Sequence, residues 1–129
     1  MAFSNYMEDQ ITGWINGTTF ATAPTATFVQ LYNGDPLDTG LGGTPLYTRI
    51  SVASGGWTRG IGGNGTLTNT GVITITSSAA SGATATHVAV FDTITGGNML
   101  FAGSLAASKT IATGDEVKFN ASQLTLTVA

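Results

Sequence analysis

"THVAVFDTITGGNMLFAGSL" (Thr86–Leu105) sets two apolar runs on either side of a Gly-Gly pair and carries the only histidine of the chain, with an aspartate at position 92. A tight hairpin turn needs residues at positive φ, and glycine adopts that conformation without a Cβ clash. The stretch therefore predicts two antiparallel strands, His87–Asp92 and Met99–Leu105, joined by the turn "TITGGN". Both runs are apolar on both faces, as expected of central strands covered on both sides or lying at an intersubunit contact. Side chains alternate along a strand, so His87 shares a face with Ala89 and Phe91, whereas Asp92 lies with Val88 and Val90. Within one strand the two cannot act as the base and acid of a Ser-His-Asp site.

The same two-residue period recurs from residue 26 onward. Strands are predicted at Thr27–Tyr32, Tyr47–Val52, Gly65–Asn69, Val72–Thr76, Lys109–Ile111, Glu116–Asn120 and Leu124–Val128. Turn signals separate them: "NGDP", "GLGGTP", "GGNG", "NTG", the small residues around 77–82, and "TGDE". Leu124, Leu126 and Val128 share one face of the last strand, and Val117 with Phe119 oppose Glu116, Lys118 and Asn120. Many short strands with one wet face each predict a mainly β fold, an antiparallel β-sandwich or jelly roll.

The exception is "SNYMEDQITGWINGT" (Ser4–Thr18), the one helical stretch. Asn5 and Glu8 have capping-box spacing, Met7, Ile11, Trp14 and Ile15 fall at helical spacing, and Gly17 is a natural stop. Gly13 inside this pattern costs about 1 kcal/mol against Ala, so the helix depends on what it packs on. The expected organisation is a single domain over 1–129. A helical segment at 1–20 docks on the sandwich or on a neighbour, and the sandwich spans 26–129.

At 129 residues the chain suffices for one core. Only 9% of residues are charged, against about 25% in an ordinary soluble domain. With so little charge to keep copies apart, much of the surface is expected to lie against other copies or a larger assembly. Net charge is −3, and Arg49, Arg59, Lys109 and Lys118 are scattered, so nucleic acid is not an expected partner. Without cysteine there is no disulfide, thiol nucleophile or Cys-ligated metal. No basic segment precedes a long apolar run at Met1–Ser4, and nothing approaches the roughly 18 apolar residues of a membrane span, so neither a signal peptide nor a membrane partner is expected.

Other candidate sites are weak. Asp35 and Asp38 in "DPLD" suit a hard cation, but the spacing is not that of an EF-hand, and Asp before Pro is a common turn starter. "GIGGNG" (Gly60–Gly65) lacks the βαβ context of a dinucleotide fingerprint. Asp115 and Glu116 beside Lys118 read as a solvated edge pair. No catalytic residue, cofactor or metal is expected, and the protein is read as not an enzyme. Trp57, in the glycine-rich stretch Ala53–Gly65, is either an anchor folded onto the sandwich edge or a partner-contacting aromatic.

Ser4–Val52 resembles the opening of a family of small tailed-bacteriophage virion proteins usually labelled tail fibre or minor tail protein. There an "SNYLE"-like helix start precedes a "GT-(A/F)-x-x-P" turn, an "LY-x-x-DP" strand end and a "GTG" loop. Further on, "GTLTNTGVITI" and Thr86–Val128 are similar to the family's "THxxIFDAxTGGNLLFxGxL", "K-x-(V/I)-x-x-GD" and "LTITL" segments. The resemblance runs through nearly the whole chain in order. It departs at Ser54–Gly65, and no tryptophan stands shortly before His87.

The resemblance implies a virion structural protein made in the host cytoplasm. A fibre spans distance through a trimeric shaft, which a single sandwich does not supply, so the expected role is capsid decoration, as a cement protein. Such a protein acts as a homotrimer on the major capsid protein or other virion proteins, binding several subunits at once. A minor tail or tail-fibre-associated module is the alternative. A receptor- or carbohydrate-binding module is another, with Trp57, Tyr47 and Tyr32 as a stacking platform. The candidate contact residues are Phe3, Tyr6, Met7, Trp14, Trp57 and Arg59.

Overall fold

A computed structural model describes residues 1–60, 65–76 and 83–128. The hairpin predicted from Thr86–Leu105 forms its centre. Strand β7 (Ala83–Phe91) lies in the middle of a five-stranded antiparallel sheet, between β8 (Met99–Ile111) and β2 (Ala26–Asn33). Beyond β2 lies β3 (Thr44–Ala53), and beyond β8 a two-residue strand, β1 (Ala2–Phe3). Gly96 and Gly97 take φ of 59° and 68° in the turn, the positive values for which the glycines were singled out.

Alternation along β7 sorts its side chains as the sequence predicts. Val88 and Val90 join Val29, Leu31 and Phe101 in the main core, whereas Ala89 and Phe91 join Tyr32 and Met99 in a second cluster on the opposite face. The main core is closed by two smaller antiparallel sheets. One runs β10 (Thr125–Thr127), β5 (Thr66–Asn69), β4 (Trp57–Arg59), and the other pairs β6 (Ile73–Thr76) with β9 (Glu116–Phe119). Ile73, Ile75, Val117, Phe119, Leu124 and Leu126 reach from them into the same core. The fold is thus mainly β, with several antiparallel sheets and one short helix, α1 (Asn5–Ile15), near the N-terminus.

Several details differ from the sequence expectation. The cap of α1 is Ser4, whose Oγ accepts from the Met7 amide at 3.3 Å, so Glu8 lies one position too late for the capping box assigned to Asn5. At the other end Gly17 has φ 90°, its amide donates to the Trp14 carbonyl, and the Thr18 amide donates to the Gly13 carbonyl, a Schellman closure. Val128 is 45% exposed and does not continue the inward row of Leu124 and Leu126. Trp57–Arg59, expected in a loop, pairs with β5.

The two strands predicted at Met99–Leu105 and Lys109–Ile111 form one long strand with an irregularity. His87 pairs with Ser104 and Ala85 with Lys109, so Leu105–Ser108 bulge opposite the single residue Thr86. The "GIGGNG" string and the small-residue turn around 77–82 fall wholly or partly outside the described residues.

The small sheets are joined by one buried side chain. Asn69 is 0% exposed; its Nδ2 donates to the carbonyls of Gly71 at 2.8 Å and Asn120 at 2.9 Å, and its Oδ1 accepts from the Leu124 amide at 2.9 Å. Every polar atom of the buried amide is therefore matched, which buried polar groups require.

Candidate functional site

The residues with chemical potential are occupied structurally. His87 sits opposite Tyr32 and Ser104, on the face of Ala89 and Phe91, and its Nδ1 shares a 2.8 Å hydrogen bond with Thr86 Oγ1. Asp92 is not its partner. The Asp92 carboxylate caps the far end of the turn, accepting from the Asn98 amide at 2.7 Å and from Asn98 Nδ2 at 2.9 Å. Asp35 Oδ1 accepts from the Leu37 amide at 2.8 Å, the turn-starting role expected before Pro36. Lys118 and Glu116 form an exposed pair at 3.6 Å.

The stacking platform considered for carbohydrate does not assemble. Tyr32 is 4% exposed, and burial pushes its phenol up from the ordinary tyrosine range while the Arg49 charge opposes that shift. The Tyr47 hydroxyl is buried. Trp57 donates from Nε1 to Thr27 Oγ1 at 2.8 Å and meets the Phe101 ring edge-on at 5.8 Å, so it anchors β4 to the large sheet.

The six candidate contact residues fall into separate places. Phe3 packs on the main core from β1. Tyr6 and Met7, in the first turn of α1, line a cleft of about 350 Å³ whose other walls are Leu100, Asp92 and the Phe20–Pro24 strap. Trp14 stands at the far end of the helix, 64% exposed. Trp57 and the exposed Arg59 belong to β4, in the opposite layer.

The first turn of α1 is firmly held. The buried Ser4 hydroxyl donates to the Met99 carbonyl, its amide donates to the Leu100 carbonyl at 3.0 Å, and the Asn5 amide donates to the Asp38 carbonyl at 3.0 Å. No residue of α1 is fully buried, and Tyr6, Met7, Gln10 and Ile11 are half-buried. Along the apolar stripe Met7 and Ile11 are half-buried and Trp14 is exposed, and the fully buried attachment is Ser4, just ahead of the first turn. The reason is local, because Ser4 is bonded to β8 and Asn5 to Asp38 in the connection between β2 and β3, which fixes the helix start.

What emerges is an exposed apolar end that includes residues not singled out from the sequence. Ile15 is 73% exposed and Phe20 40%, and Trp14 and Phe20 line one shallow hollow with Gly17–Thr19. Residues 14–25 are all exposed, and no charged residue occurs between Asp9 and Asp35. That uncharged run is the sequence signal for the patch. Burying one large apolar side chain is worth about 1.5–3 kcal/mol, so leaving Trp14 and Ile15 mostly uncovered forgoes a few kcal/mol in the isolated chain.

No curated protein matches the chain. The family model described as "Podophage GP4 fiber I protein gp80" matches residues 2–127, which spans β1 through β10. The chain belongs to that podophage fibre family and is a bacteriophage virion structural protein.

Proposed function

We propose that the protein is a non-enzymatic accessory module of the phage tail fibre, working as a homotrimer that binds other virion proteins through the exposed end of α1. The observation that carries this reading is the uncharged, exposed segment holding Trp14, Ile15 and Phe20. Family membership supports the fibre location. The structural employment of His87, Asp92 and Asp35 supports a role without catalysis. Protein surfaces, not nucleic acid or membrane, are the proposed partners: Arg49 is spent inside the fold, which leaves three dispersed cations.

A second reading, capsid decoration, is favoured by the architecture. The described residues form one sandwich with no elongated shaft, which suits a cement protein seated on a shell. Electron microscopy of virions carrying a labelled copy separates the two. Label at the tail supports the fibre reading, and label spread over the head overturns it in favour of decoration. Light scattering on the isolated protein tests the trimer, and Trp14→Ser with Ile15→Ser is expected to lower the copy number per virion without loss of the β-sheet circular dichroism signal or of the trimer.

A further inference from the structure

Strand β8 is paired on its outer side only where β1 reaches it. Ala2 lies opposite Ala102 and Phe3 opposite Phe101, and among the described residues no strand continues that lane past Gly103. On the inner side the ladder to β7 skips Leu105–Ser108. Among the described residues, then, Leu105–Ser108 have no strand partner and Ser104, Lys109 and Thr110 have one only in β7, and every residue of 104–110 except Leu105 is exposed. Edge strands are ordinarily blunted by charge or proline, or are covered. Here Lys109 is the only charged residue and proline is absent.

The lane has a floor. Beside it opens a cleft of about 320 Å³, walled by Ala106 on one side and by Val117, Phe119 and Leu124 on the other. Three residues of β8 at its rim, Ser104, Ala106 and Ala107, are small, so another backbone can approach closely there. Its charged residues are both lysines, Lys109 and Lys118, in a chain whose net charge is −3. Lys118 has Glu116 at 3.6 Å. Lys109 has no ion pair among the described residues.

We infer that the outer edge of β8 accepts a strand from another virion protein: an extended segment of about six residues, with alternate apolar side chains turned into the cleft and an acidic residue reaching Lys109. Main-chain hydrogen bonds supply the affinity, and the cleft supplies the preference for apolar side chains at every second position. The lane's inner end is fixed by Met1, which lies against Gly103 closely enough that a Cβ there would come within 2.6 Å of its side chain. The inference rests on the protein's place in the virion but not on the choice between tail and capsid, and it uses a surface separate from the α1 end.

Hydrogen–deuterium exchange on purified virions and on the isolated protein tests it. Peptides covering 103–110 should exchange about tenfold more slowly in the virion, because paired edge amides are protected. Equal exchange in both, with the protein present in the virion, overturns the inference and leaves the proposed function standing. A protein absent from virions overturns both. Protection that appears in the isolated protein and grows with its concentration identifies a second copy as the occupant, and overturns the assignment to another protein. Two variants add an independent reading. Ala107→Pro, which removes an edge donor, and Lys109→Glu, which reverses the charge without touching the backbone, should each lower the copy number per virion. Unchanged incorporation of Lys109→Glu overturns the acidic-residue assignment.

Discussion

The Arg49 guanidinium lies 3.5 Å from the centroid of the Phe91 ring, and from that position its Nη1 donates to the carbonyls of Thr93 at 2.7 Å and Gly96 at 2.8 Å. One cation thereby covers an apolar cluster and ties down the exposed hairpin turn. The approach depends on a bulge in β3. Val29 pairs with Ile50 and Leu31 with Leu46, so Tyr47, Thr48 and Arg49 stand opposite the single residue Gln30. Tyr47 takes φ 63°, a conformation costly for a bulky side chain. Gln30 compensates: its Nε2 donates to the carbonyls of Leu46 at 2.6 Å and Tyr47 at 2.8 Å, and its Oε1 accepts from Arg49 Nε at 3.3 Å.

Arg49→Lys keeps the charge but loses the planar fork that serves two carbonyls while stacking on a ring. The turn carbonyls are exposed and water can replace the lost donors, so the expected loss is modest, about 1–2 kcal/mol. Arg49→Met keeps a stem over Phe91 and should cost about the same. Urea unfolding checks both. Exchange of the Thr93–Asn98 amides should quicken in each variant while amides of β7 stay slow.

Asn69→Ala should be the more damaging substitution. It leaves the buried Leu124 amide without its acceptor and the half-buried carbonyl bonds to Gly71 and Asn120 without their donor, a loss of about 1–3 kcal/mol. Asn69→Asp adds a pH signature. An acid facing carbonyl oxygens in a buried site has its folded pKa raised, so the unfolded chain releases its proton first. That variant should be least impaired below about pH 4 and lose stability as pH rises through the ordinary aspartate value. Thermal unfolding of wild type and variant between pH 3 and 8 reads the difference.

The centre of this fold was legible because its signal is redundant. The His87–Phe91 run is apolar on both faces, and its turn carries two glycines where two positive φ values occur. The long β8 read as two strands because Ala106–Ser108 offers small residues with weak β preference, and that gap coincides with the bulge. Trp57–Arg59 was hidden by flanking glycines, although its strand is fixed by the Trp57–Thr27 hydrogen bond, a long-range contact that local pattern does not report. The helix was legible in length but not in docking. Its apolar spacing predicts a packing stripe, of which Met7 and Ile11 are half-buried and Trp14 is exposed, while the fully buried contact is made by Ser4, which precedes it. The Arg49 bulge left no mark in the sequence, since Gln30 obeys strand parity whether or not the residues opposite it are regular.

Tyr32 gives the native protein its own alkaline signature. Burial raises its pKa, and the Arg49 charge only partly offsets this. The unfolded chain therefore loses the phenolic proton first, and between the ordinary tyrosine value near 10 and the higher folded value the unfolded state binds fewer protons. Stability should fall as pH rises above about 10, and the fall should be shallower in Tyr32→Phe. Absorbance at tyrosinate wavelengths should show a late-titrating component in the folded protein that Tyr32→Phe removes and that denaturant returns to the ordinary tyrosine range.

Ser4→Ala separates the attachment of α1 from the fold of the sandwich. The Ser4 hydroxyl both accepts from the Met7 amide and donates to the Met99 carbonyl, and the residue is 1% exposed. Removing an N-cap oxygen costs about 1 kcal/mol, and stranding a buried carbonyl adds about as much again. No residue of α1 is fully buried, so beyond the half-buried Tyr6, Met7 and Ile11 the helix is held chiefly at that turn, and none of its residues belongs to the sandwich core. The expected result is a small drop in overall stability with a disproportionate rise in exchange and protease cutting over residues 5–25, at a site remote from Asn69. A variant that loses sheet and helix signals together at one denaturant concentration, with residues 5–25 protected until then, would show that α1 is bound to the sandwich by more than its first turn.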